Sequence, residues 1–168
     1  MTIADCGSCS ACCFLMSVPV LNKPSCVWCE HAERPHGGCR VYDRPEKPRE
    51  CTDFRCLWLV SQTRRREERM PYMLRPDRCG AMLHDAAAYA SVEADVDPNI
   101  LYVHVDPTRP AAWREPSLLA HIEMVRSRGC RVEVVIGERR LLLEPSGSSS
   151  SRDDGSSMRM VSVKEVAA

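Results

Sequence analysis

Four thiols fall within eight residues, Cys6-Gly7-Ser8-Cys9-Ser10-Ala11-Cys12-Cys13, and that density limits the possible folds more than anything else in the chain. Five more follow by residue 56, at Cys26, Cys29, Cys39, Cys51 and Cys56, while the other 112 of the 168 residues hold only Cys79 and Cys130. Packing alone does not call for nine thiols in one third of a chain. The first sixty residues are therefore expected to fold around bound metal, with a small conventional core beside them.

That expectation depends on the thiols staying reduced. Met1-Thr2-Ile3-Ala4-Asp5 has neither the basic start nor the apolar run of a secretory signal, so a cytoplasmic setting is expected. In a reducing compartment CxxC spacings point to metal or redox chemistry rather than to a disulfide framework. No stretch approaches the ~20 apolar residues of a membrane-spanning helix. Charge is balanced overall, with 23 Lys and Arg against 23 Asp and Glu. It is also balanced within residues 1–60, at seven of each sign. A nucleic-acid partner normally calls for a basic excess, and none is present.

The spacing is C-x2-C-x2-C-C, twelve residues, C-x2-C, nine residues, C, eleven residues, C-x4-C. Two cysteines separated by two residues can turn both sulfurs toward one ion across a tight turn. Gly7, Ser8 and Ser10 leave room for that turn and for backbone N–H donors to sulfur. Adjacent side chains diverge, so Cys12 and Cys13 are expected to serve two centres, or one as a ligand and one in packing. A closed zinc site takes four ligands. A four-iron cluster also takes four, and C-x2-C-x2-C supplies three of them in bacterial ferredoxins. Zinc and iron, including an iron–sulfur cluster, both remain open. His31 sits two residues after Cys29 and can ligate or support a ligand, whereas His36 beside Gly37-Gly38 belongs to a solvated loop.

Cys6-x2-Cys9-x2-Cys12-Cys13, then Gly38-Cys39-Arg40-Val41-Tyr42, Arg44-Pro45, Cys51 and Phe54-x-Cys56 together carry a specific pattern. It resembles the YkgJ-like cysteine-cluster family, whose members are described as zinc- or iron-chelating. The resemblance covers about the first sixty residues. It implies a shared metal cluster of Cys6, Cys9, Cys12, Cys13, Cys39, Cys51 and Cys56, with Cys29 as the eighth member and Cys26 outside the pattern. Similar clusters occur within larger enzymes such as flagellin lysine methylases, so the resemblance implies metal binding and no particular activity. Arg40, Arg44, Arg49 and Arg55 are placed to offset thiolate charge, and Pro45 and Pro48 stiffen the chain between ligands.

Beyond the cluster the local patterns are ordinary. Residues 80–84 and 100–105 carry short β-favouring apolar runs, and residues 130–136 alternate into a third strand that Gly137-Glu138 turns back over 139–143. Leu118, Leu119, Ile122 and Val125 keep helical spacing from Pro116 to Arg128, with Gly129 at the exit. Arg64-Arg65-Arg66-Glu67-Glu68-Arg69 makes a solvated helix face. Residues 146–157 are Ser/Gly/Asp-rich, and residues 158–166 offer one edge strand.

The expected class is α+β: a cysteine-rich, metal-stapled module over 1–60, packed on a small antiparallel sheet with one main helix over 61–145, then a tail over 146–168. No nucleophile motif, phosphate loop or HExxH occurs. Asp95, Asp97 and Asp106 suit turns. His84 and His104, each on a strand, are expected to pack or face solvent, since no second ligand sits at close spacing. Cys79 and Cys130 are expected to be buried thiols. The function that follows is metal chelation by a structural or metal-handling protein whose α+β surface is open to a protein partner. An iron–sulfur redox or accessory protein is the alternative. A thiol oxidoreductase ranks third, because Cys6-x-x-Cys9 lacks a preceding βαβ signal.

Overall fold

The computed structural model describes residues 6–34, 36–85, 97 and 99–146. Within them short helices and small sheets alternate, giving mixed α and β content. The N-terminal third contains helix α1 (Ala11–Leu15), a two-stranded clasp of β1 (Ala32–Glu33) and β2 (Gly38–Cys39), then α2 (Arg49–Asp53) and α3 (Leu57–Ser61). The second part contains α4 (Pro76–Cys79), β3 (Ala81–His84), β4 (Ile100–Val105), α5 (Pro116–Ser127), β5 (Arg131–Ile136) and β6 (Arg139–Leu143).

The strands from β3 to β6 form one sheet in sequence order. β3 pairs antiparallel with β4, and β5 with β6, but β4 and β5 run parallel, with Val103 opposite Val134. The sheet is therefore mixed, which corrects the antiparallel expectation. The cause is α5: parallel neighbours need a long crossover, and the helix between β4 and β5 carries the chain back to the end where β4 began. α5 itself lies where its apolar spacing placed it. Pro116 occupies its first turn, and Leu118 and Ile122 are fully buried.

Side chains on a strand alternate between the two faces of a sheet, and here the two faces do different work. Ala81, Leu83, Leu101, Val103, Val105, Val132 and Val134 belong to one apolar core with Leu118, Ile122 and Trp113. Met82, His84, Tyr102, His104 and Val135 lie on the alternate positions and line a cavity on the other side. α1 and α3 both contact β3, and Leu57 and Trp58 pack against the core cluster. Arg75 ties the two parts of the chain together: it donates to Ser8 Oγ at 2.7 Å and pairs with Asp77 at 2.9 Å.

Several smaller expectations meet the structure directly. The charged run forms only a short exposed 3-10 turn over Arg66–Glu68. Asp97 and Asp106 accept hydrogen bonds from the backbone N–H groups of Asn99 and Thr108, the local turn role expected of them. Cys79 is buried and its thiol donates to the Ala81 carbonyl, whereas Cys130 is only partly buried. Asp95, the alanine-rich stretch after Asp85 and the edge strand over 158–166 lie outside the described residues. No helix among the described residues is long and apolar enough to cross a membrane.

Candidate metal centre

The first cysteine run is shaped by hydrogen bonds to small residues. Gly7 takes a positive φ of 51°, and the Cys9 N–H returns to the Cys6 carbonyl at 2.9 Å, closing a tight turn. Ser10 is buried, and its hydroxyl accepts from the Gly38 N–H at 3.1 Å, which fastens the run to β2. Gly38 has φ +84°, and a Cβ there would stand 2.6 Å from the Gly7 carbonyl oxygen, so only glycine fits this approach. The Cys29 N–H donates to the Cys13 carbonyl at 2.8 Å, bringing the second CxxC against the first.

These links gather sulfur. Cys6, Cys9, Cys12, Cys13, Cys29, Cys39, Cys51 and Cys56 all line one cavity of about 720 Å³. Cys26, Cys79 and Cys130 do not line it. Cys12 and Cys13 do not part into separate spaces: both face the cavity from α1, and their side chains hydrogen-bond to each other. Arg55 lines it too, as does His31, whose backbone N–H donates to Cys29 Sγ at 3.4 Å. Backbone N–H groups of Ala11 and Asp77 serve Cys9 in the same way, and that of Leu59 serves Cys56. Such N–H···S bonds orient sulfur and favour its thiolate form.

In the metal-free chain Cys6, Cys9, Cys12, Cys51 and Cys56 resist ionisation. Burial pushes Cys6 and Cys56 up to about 12 and Cys51 to about 11, with repulsion from neighbouring thiols adding to it. For Cys12 the larger cause is the hydrogen bond that its thiol donates to Cys13, followed by burial. Opposing these effects, the Tyr42 hydroxyl donates to Cys6, and the Lys47 ammonium, 3.8 Å from the Tyr42 ring centroid, favours ionised Cys6 and Cys51.

Of the arginines that the sequence offered, Arg55 lines the cavity, together with Lys47 and Arg140, while two others turn elsewhere. Arg40 turns away to the Glu30 carbonyl, and Arg49 pairs with Asp53 at 3.3 Å. Lys23 is only 6% exposed, and its ammonium donates to the carbonyls of Phe14, Met16 and Pro24. Burial lowers its pKa, while Cys29, Cys13, Cys12 and Cys26 hold it up. Nothing in its spacing marked Lys23, because its partners are backbone carbonyls.

The largest departure from expectation is on the sheet. His84 and His104 face the cavity, with Nε2 to Nε2 at 2.9 Å. His84 stacks on Tyr102 with ring centroids 5.0 Å apart and meets Phe54 edge-on at 5.6 Å. Burial drives His84 down to about 3 and His104 to about 4, so both rings are neutral at pH 7. Packing was an expected role and His84 fills it; the contact with His104 was hidden because the two sit twenty residues apart in sequence but one diagonal step apart across β3 and β4. Among the described residues no three His, Cys, Asp or Glu side chains stand close enough to form a ready-made ligand shell. The donor set fits zinc or iron in kind, as soft thiols with imidazole beside them.

The chain matches no family model, no curated protein and no solved structure.

Proposed function

We propose that this chain is a metal-binding protein that chelates zinc or iron through its N-terminal cysteines, in a structural or metal-handling role. One observation carries the proposal: eight cysteines from four separate stretches of chain line a single cavity. Nine cysteines fall in the first 56 residues, and the one that stays off the cavity, Cys26, is also the one outside the YkgJ-like pattern. The residues that would hold the ion are Cys6, Cys9, Cys12, Cys13, Cys29, Cys39, Cys51 and Cys56. Bound there, a metal supplies a multiply charged centre that cross-links the N-terminal third. Tyr42, the backbone N–H donors and the two lysines support the sulfurs as they lose their protons.

Metal ligation also explains why so many thiols share one space. Each costs little as a neutral group, and an ion converts several of them into ligands at once, releasing their protons. The test is elemental analysis of full-length protein, purified with and without oxygen. Stoichiometric zinc in colourless protein supports a closed thiolate centre. Brown protein with acid-labile sulfide supports an iron–sulfur cluster acting in a redox or accessory role. Protein holding neither metal in either preparation overturns the proposal.

A further inference from the structure

Two imidazoles, His84 buried and His104 partly buried, meet on the sheet face opposite the apolar core. The core face of β3, β4 and β5 carries only Ala, Leu and Val at its buried positions. On the cavity face, His84 is 3% exposed and His104 stands beside it. A polar group buried this deeply is costly unless its hydrogen-bonding capacity is used. At 2.9 Å one Nε2 donates and the other accepts, so each ring spends its cavity-side nitrogen on the other. Two Nε2 atoms on one tetrahedral zinc ion, with Zn–N near 2.0–2.1 Å, stand about 3.3 Å apart. The rings therefore need to separate by about 0.4 Å and to turn from their near-parallel, head-to-head contact so that both lone pairs converge on one ion.

Candidate sulfur ligands share their cavity. Both histidines line the same cavity as the eight thiols. Phe54, three residues after Cys51 and two before Cys56, packs edge-on against His84 and brings that segment beside the pair. The Phe54 and Tyr102 rings fix the His84 plane. Thus two nitrogen donors are held by a sheet, and the sulfur donors come from α1 and the loops opposite.

We propose that His84 and His104 bind a divalent metal ion of the zinc class through their Nε2 atoms, with thiolates of the facing cysteine module completing a mixed nitrogen–sulfur site. This rests on the proposed function in one respect only, that the thiols of this cavity bind metal. On binding, the proton between the two Nε2 atoms moves to a ring Nδ1, so both rings remain neutral, while each ligating thiol releases one proton. The consequence is mechanical as well as chemical, since an ion shared between β3, β4 and the cysteine module clamps the sheet to that module.

The test uses the reduced full chain, labelled with nitrogen-15 at histidine and titrated with zinc without oxygen. The single variants His84→Gln and His104→Gln assign the ring signals. Both Nε2 resonances are expected to shift to the metal-bound position in step with bound zinc, with both rings settling as Nδ1–H tautomers. A cobalt(II) spectrum of the double variant His84→Gln/His104→Gln is expected to lose its mixed nitrogen–sulfur bands and move toward an all-sulfur pattern. Zinc bound at full stoichiometry with both imidazole signals unmoved overturns the site and leaves the proposed function standing. No zinc bound at all overturns both. If the double variant fails to fold, the wild-type nitrogen spectra alone decide.

Discussion

Cys9 and Cys51 reach the cavity from different segments, while Cys79 is buried in the apolar core and its thiol donates to the Ala81 carbonyl. Serine keeps the size of a cysteine but is a far poorer ligand for zinc or iron. Cys9→Ser and Cys51→Ser are therefore expected to lose bound metal and leave the first sixty residues open to limited proteolysis, because binding energy at such sites is folding energy. Cys79→Ser removes no ligand and is expected to cost about 1 kcal/mol with metal content intact. Metal analysis and proteolysis of the three variants check this, and identical cleavage in all three would count against the ligand set. A lone lysine in a loop looks solvated in sequence, yet three carbonyls and a group of thiols surround Lys23.

The β1–β2 clasp is the element that holds the cysteine module to itself, and its weak point is Gly38. A methyl group there meets the Gly7 carbonyl at 2.6 Å and also forces a side chain into positive φ. Gly129, after α5, likewise has a positive φ of 89° but has nothing within 4 Å of the added carbon. Gly38→Ala is expected to destabilise by about 1–3 kcal/mol, and more than Gly129→Ala, where only the backbone strain applies. Denaturant unfolding of the two variants measures the difference. Equal losses would mean that the Gly38–Gly7 contact contributes nothing. Among the larger elements, α5 and the β5–β6 hairpin were legible because their signals are local: an apolar stripe with proline and glycine at its ends, and a Gly-Glu turn between alternating runs. The parallel pairing of β4 with β5 was not, since it depends on where a twelve-residue helix delivers the chain.

For the whole molecule, the shifted groups set a pH window for the metal-free chain. Free thiols titrate near 9.0, but Cys6 and Cys56 are raised to about 12 and Cys51 to about 11. Above pH 9 the unfolded chain thus releases protons that the folded chain keeps, and stability falls as pH rises toward 11–12. Histidine titrates near 6.5, but His84 and His104 are lowered to about 3 and about 4. Below pH 6.5 the unfolded chain takes up protons that the folded chain refuses, so stability falls again as pH drops toward 3–4. Unfolding of reduced, chelator-treated protein is expected to show a plateau between about pH 6.5 and 9, with losses on both sides. Metal is expected to flatten the alkaline limb, because ligated thiols have already given up their protons. A chelated sample with undiminished stability at pH 11 would contradict the burial of Cys6, Cys51 and Cys56.

What the sequence determined alone was chemical inventory and local form. It gave the density and spacing of thiols, the balance of charge, and the periodicities of α5 and of the strands, because each depends on residues within a few positions of one another. The tertiary structure decided which thiols share a space, that Lys23 and Lys47 act on their charge while Arg40 and Arg49 turn elsewhere, and that β4 and β5 run parallel. It also decided that His84 and His104 meet. Those outcomes depend on which sheet face turns toward which segment, and that is fixed only when α5 and the apolar core bury one face and leave the other to the cysteines.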